Sequence, residues 1–176
     1  DLQGDEAGHS FSVDRILETG DWLVPKSSPS PDAPFLEKPP LKFWVVAAGI
    51  RAGLPLDEFG LRFWDAVCGG LVFLYVFGIG RRLGGALCGL LSVLVLFVHG
   101  PFLMSHGIRG NNMEAPLVLG YCGGCYHFLR WGESENRRAA WIQGIAVALY
   151  FTLGFMVKFV AAAFLPMVTV ICQLGG

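Results

Sequence analysis

The stretch "LRFWDAVCGGLVFLYVFGIGRRLGGALCGLLSVLVLFVHG", residues 61–100, consists of two apolar runs joined at Arg81 and Arg82. Each run approaches the roughly 20 residues that carry a helix across a hydrocarbon core. Candidate spans are 61–80 and 83–100, followed by 114–131, 139–157 and 159–174. Little beyond Lys158 separates the last two, which can also be read as one interrupted span. Composition agrees: 53% of residues are apolar and 15% charged, and mean hydropathy is +0.53, which fits a membrane protein better than a soluble domain. The predicted fold class is all-α, a polytopic transmembrane helix bundle over residues 61–176.

Upstream the character changes. Residues 1–65 hold 11 of the 14 acidic residues and six of the 13 basic ones. Residues 1–60 are therefore expected to form an external loop with two juxtamembrane helices. The first covers 5–19, "DEAGHSFSVDRILET", an amphipathic helix with Phe11, Ile16 and Leu17 on its apolar side, broken at Gly20. Residues 25–40 contain six prolines and three serines and read as an extended loop. Its proline pair, Pro39-Pro40, keeps Lys38 out of helical geometry and starts the next helix at Pro40. The apolar run 41–54 has about fourteen positions and is too short to cross. It is expected to lie along the interface with Trp44 at headgroup depth.

Several functions are excluded or disfavoured. A formal charge of −1 without basic clusters gives no support for nucleic-acid binding. The five cysteines lie in apolar stretches and predict no disulfides. Cys122, Cys125 and His127 have a metal-like spacing but no second ligand pair, which points to packing. With Asp1 at its start and an apolar run near Gly176, the sequence reads as part of a longer chain.

Charge placement sets the orientation. Lys and Arg in short loops prefer the cytoplasmic side, so Arg81, Arg82, Arg130, Arg137 and Arg138 mark the inside. Asp5, Glu6, Glu37, Lys38, Arg109, Glu114 and Lys158 then gather at the opposite, non-cytoplasmic surface. Lys158 stands out, because an ionised side chain in mid-bilayer costs about 2.5–3.5 kcal/mol unless it is paired or reaches water. Glu114 opens an apolar helix. Asp65 is expected to pair with Arg62, one turn earlier.

The order of "DE" (5–6), "ILETGDWLVP" (16–25), "FLEKPPLKFW" (35–44), "FGLRFWDAVCGGL" (59–71), "IRGNNMEAPLVL" (108–119) and "GFMVKFVAAAFLP" (154–166) resembles GT-C membrane glycosyltransferases. The likeness is to the dolichyl-phosphate-mannose-protein mannosyltransferase-like group that includes the lipid A aminoarabinose transferases. It implies an inverting hexosyl- or pentosyltransferase that moves a sugar from a polyprenyl-phosphate carrier to an acceptor lipid, protein or glycan. It also implies a bacterial inner membrane enzyme whose active site faces the periplasm or exterior.

Residue roles follow from the same resemblance. Asp5, with its neighbour Glu6, matches the catalytic carboxylate of the first external loop, which acts as general base or orients the acceptor. Lys38, Arg109 and Lys158 match groups that hold the donor phosphate, with Glu37 and Glu114 supporting them. A divalent metal is a candidate cofactor, with Glu37 as a ligand. The chain departs from the family pattern in having Glu114 for Asp, "NNM" at 111–113, and Val157 and Phe159 beside Lys158. The sequence alone is expected to be inactive, because family members carry further helices.

Two other classes remain open at this level. A transporter or lipid-handling protein would use Glu114 and Lys158 as a mid-membrane charge pair. A non-catalytic scaffold would tolerate substitution at Asp5 and Lys38.

Overall fold

The computed structural model describes residues 2, 4–26, 34–105 and 107–174. Among them the regular structure is helical, apart from one isolated bridge between Lys26 and Pro34.

Helix α1, Asp5–Thr19, starts with two carboxylates in its first turn, where the helix dipole favours negative charge. It stops at Gly20, whose φ of 73° is left-handed and whose N–H donates to the Ile16 carbonyl. Val13 and Ile16 are buried, while Phe11 is half-buried, so Val13 takes the place expected for Phe11. Helix α2, Leu41–Arg51, follows the proline pair and packs on α1 and α3 through Phe43, Val46 and Ala47. It is far more enclosed than a helix lying bare on an interface. The Trp44 indole N–H donates to the Trp22 carbonyl and ties α2 to the segment after α1.

Helix α3, Glu58–Val98, is capped by Asp57, which accepts from the Gly60 N–H at 3.0 Å. It is two antiparallel arms rather than one rod. Gly84 and Gly85 leave helical geometry, and Gly85 combines φ 79° with ψ −177°, a region open to glycine alone. The arms, 58–83 and 86–98, meet through Phe73 and Phe97 and through the glycines Gly80 and Gly89, where an added Cβ would strike the other arm. Arg81 and Arg82 sit at this reversal. A short π-helical turn, Pro101–Ser105, and an irregular connector then lead to α4, Glu114–Gly132.

Helix α5, Arg137–Phe155, is capped by Asn136 and packs antiparallel to α4 along Gly120, Gly123 and Gly154. The chain turns at 156–158 into α6, Phe159–Ala162, and α7, Phe164–Leu174. Tyr121 meets Ala161 and Phe164, and Gly124 meets Leu165, so α6 and α7 run alongside α4 and opposite to α5. The final segments are therefore not one interrupted span; the chain reverses at Lys158.

Two described helices, α3 and α5, are long and apolar enough to cross a membrane. The bundle consequently has two distinct ends. One carries Arg81, Arg82, Arg130, Glu133 and Arg137, drawn together by the Arg82–Glu133 ion pair. The other carries α1, α2, the first turns of α3, the start of α4 and the turn at Lys158.

Candidate functional site

At this second end the charged side chains form a series of neighbouring pairs. Glu6 is buried, and its carboxylate takes both arms of Arg62, at 2.6 and 2.9 Å. It also accepts the Asn111 backbone N–H at 2.8 Å. Burial pushes the Glu6 pKa up, but the Arg62 hydrogen bonds, the Asn111 N–H and the Arg62 charge outweigh it and hold the group below its ordinary value. Arg62 reaches Glu58 as well, at 2.8 Å. The expected Arg62–Asp65 pair is thus absent: the carboxylate of Glu6, 56 positions away in sequence, and that of Glu58 occupy the guanidinium.

Asp65 pairs with Lys42, and both are buried. Lys42 lies on α2 and Asp65 on α3, so this pair clamps the external loop to the bundle. One Asp65 oxygen, Oδ1, finds no partner among the described residues. Asp65 also feels the charge of Glu114, which is ion-paired with Lys158 at 3.0 Å. Glu114 and Lys158 are each about one-third exposed, at 35% and 37%. Both stand at helix ends, Glu114 in the first turn of α4 and Lys158 immediately before α6.

His9 links these pairs to the surface. Its Nδ1 lies 3.0 Å from the Asn111 carbonyl, which can only accept, so Nδ1 carries the proton and Nε2 the lone pair in the neutral ring. Phe35 and Phe43 enclose the ring with centroids at 6.2 and 5.7 Å. Burial drives the His9 pKa below the usual imidazole value; Lys42 and Lys38 act in the same direction, while the Asn111 hydrogen bond and Asp5 oppose them. Asp5, Lys38 and Lys42 all lie close enough to act electrostatically on His9. Asp5 is exposed and Lys38 is half-buried.

The structure therefore places Asp5 and Lys38 each within electrostatic range of His9, and pairs Glu114 with Lys158. Arg109 stands apart from them. It is exposed, donates to the Met104 sulfur at 3.3 Å, and lines a cavity of about 280 Å³ with Glu58, Phe59, Arg62 and Phe63. Glu37 is exposed and makes no hydrogen bond or ion pair among the described residues.

The described donor set does not fit a metal. No three His, Cys, Asp or Glu side chains converge among the described residues, and Glu37 stands alone. Cys122, Cys125 and His127 pack as the sequence suggested. His127 stacks on Tyr150 and bonds Gln143 at 2.7 Å, and the intervening glycines receive Tyr150 and Leu165.

Sequence reasoning missed Lys42, His9 and Asn111. A lysine inside "PLKFWVV" carried the same signal of an expensive apolar position that singled out Lys158. Asn111 fell within "NNM", where the sequence offers no local cue.

Comparison with known proteins meets this geometry. The chain superposes on ArnT from Cupriavidus metallidurans in the apo state with a TM-score of 0.83 at 20% identity, covering 98% of this chain and 32% of that one. The same protein bound to undecaprenyl phosphate gives a TM-score of 0.84 at 20% identity, covering 98% and 31%. At that identity the likeness shows a shared fold. The chain spans about a third of the length of these ArnT structures. No curated protein matches it by sequence. The family model described as dolichyl-phosphate-mannose-protein mannosyltransferase matches residues 37–174, from the Glu-Lys-Pro-Pro stretch through α7, and by that match the chain belongs to this family of integral membrane proteins.

Proposed function

We propose that the intact protein is a glycosyltransferase that moves a sugar from a polyprenyl-phosphate carrier to an acceptor at the non-cytoplasmic membrane surface. The observation that carries this reading is the placement of Glu114, Lys158, Lys38 and Asp5 at one end of the bundle, on helix ends and loops. A lipid tail holds its phosphate at that depth. A transport pathway calls for the Glu114–Lys158 pair near mid-bilayer, and its position at helix ends disfavours that reading.

In the proposed reaction the acceptor hydroxyl attacks the anomeric carbon. The new carbon–oxygen bond forms as the bond to the carrier phosphate breaks, and the acceptor's proton passes to Asp5. Asp5 is exposed and uncommitted among the described residues, whereas Glu6 is held by Arg62 and Asn111; Glu6 is thus a positioning residue for α1. Lys158 and Lys38 offset the charge that grows on the departing phosphate, an effect strongest where water is scarce. Arg109 would meet a phosphate entering from its own flank, and Glu114 holds Lys158 in place. The bacterial inner membrane is the expected location, with this end facing the periplasm. No step runs through a metal, and Glu37 is assigned only to the loop's outer surface.

Assay of the intact protein with a labelled polyprenyl-phosphate sugar tests the proposal, since residues 1–176 alone are expected to be inactive. Asp5→Asn should lower turnover by about 10²–10⁴-fold, the usual contribution of a general base. Unchanged turnover would remove Asp5 from the chemistry.

A further inference from the structure

The arginine end of the bundle holds a second feature that the transferase reading does not use. A cavity of about 700 Å³ opens between the first α3 arm and α4, lined by Leu71, Leu74, Tyr75, Phe77, Gly78, Arg81 and Arg82 from the arm and by Tyr126 from α4. Its composition changes along its length. Along the arm, Leu71 and Leu74 lie toward the bundle centre, the rings of Tyr75, Phe77 and Tyr126 follow, and two guanidinium groups form the rim. Gly78 lets the Tyr126 ring pack directly on the helix backbone and so sets the cavity's inner wall, since an added Cβ would meet that ring at 2.8 Å.

The two arginines are not equivalent. Arg82 stacks over Tyr126 with its guanidinium carbon 5.1 Å from the ring centroid and is ion-paired with Glu133. These contacts fix its position and offset its charge. Arg81 is exposed and has no ion pair among the described residues. One cation is anchored and the other is open at the mouth of an apolar channel. The pattern matches a molecule with a phosphate at one end and a hydrocarbon chain at the other.

We infer that this cavity binds an anionic phospholipid, its phosphate between Arg81 and Arg82 and one acyl chain along Leu71, Leu74 and Gly78. The arginine rim of the site lies about 26 Å along the helix from Asp65 at 1.5 Å per residue, and its inner limit at Leu71 about 9 Å from that level. It is separate from the proposed transfer site and does not depend on it. The apolar channel favours a lipid over free phosphate, because inorganic phosphate would leave it empty.

Native mass spectrometry of the intact protein tests the site, using equal amounts of phosphatidylglycerol and phosphatidylcholine in detergent. The parent should retain phosphatidylglycerol at least about 5-fold more than phosphatidylcholine, because both carry a phosphate but the choline cation offsets it beside the two arginines. Arg81→Gln should cut that preference by about 3-fold or more, and Leu74→Trp, which fills the channel, should reduce retention of both lipids. Arg138→Gln, at the same end but outside the cavity, should change neither. Millimolar inorganic phosphate should fail to displace the lipid, and glycosyl transfer should persist in the Arg81 and Leu74 variants. Equal retention of both lipids by the parent, an Arg138 effect as large as that of Arg81, or displacement by inorganic phosphate would each overturn the assignment. If Arg81→Gln does not fold, Leu74→Trp decides alone: retention of both lipids at the parent level overturns the assignment, and reduced retention supports it.

Discussion

His9 and Glu6 make the external helix sensitive to pH through different chemistry but in one direction. The folded state holds the His9 pKa below 6.5, so the unfolded chain binds more protons as pH drops through that value. The stabilisation from a neutral, buried His9 is complete above 6.5 and declines as pH falls toward the depressed folded value. Glu6 is likewise lowered from 4.5; its contribution is present above 4.5 and is lost as pH falls through the folded value. Thermal unfolding of the protein in detergent should therefore begin to weaken just below pH 6.5 and weaken again below pH 4.5. His9→Gln should flatten the first of these steps and leave the second in place. A first step of unchanged size in that variant would assign it to another group. Glu6→Gln leaves Arg62 with Glu58 alone and should cost about 1–3 kcal/mol at neutral pH, read from the same melts.

Elements are joined by features that act over long sequence distances. The Lys42–Asp65 pair links α2 to α3 while fully buried, where losing one partner strands a charge and typically costs about 3–5 kcal/mol. Lys42→Met should therefore be poorly stable, and the double variant Lys42→Met/Asp65→Leu should recover most of the loss, as measured by midpoint shifts in denaturant. The α3 reversal depends on backbone instead. Gly85→Val places a β-branched residue at φ 79° and should destabilise by about 1–3 kcal/mol, with reduced yield of folded protein.

The contrast explains what could be read in advance. Helix α1 from 5 to 19, the start of α2 after the prolines and the break around Arg81–Arg82 are all legible in the sequence, because caps, prolines and apolar periodicity are local signals. The Arg62 pairing is not, because the rule for neighbours one turn apart gives way where tertiary contacts decide. Glu6 and Lys42 come from elsewhere in the chain and claim Arg62 and Asp65. The Lys158 reversal is half-legible for a related reason: 139–157 and 159–174 read as two spans meeting there, yet one lysine between apolar runs also fits a single interrupted span.

For the whole molecule, the sorting of charge into two ends predicts sidedness. In a background lacking the native cysteines, single cysteines at positions 38 and 81 should react with a membrane-impermeant maleimide from opposite sides of sealed vesicles. Labelling of both from one side would contradict a spanning first arm of α3. That Asp5, Lys38, Glu114 and Lys158 share one end of the bundle is legible from charge placement in the sequence. The internal wiring of that end through His9, Lys42, Asp65 and Asn111 is not, because each link joins segments that meet only after folding.

The unequal arms of α3 bear on how that end meets the membrane. Residues 58–83 extend ~39 Å, whereas residues 86–98 extend only ~20 Å against a hydrocarbon core of about 30 Å. On the flank of the shorter arm the remaining height is filled by the π-helical turn and the irregular connector up to Arg109. Exposed irregular backbone is not tolerated in hydrocarbon. Burial of Gly107, Gly110, Asn111 and Asn112, and the packing of Ile108 on Gly69, give that backbone protein rather than hydrocarbon as its surroundings, so the short arm works as half a span completed by a folded plug.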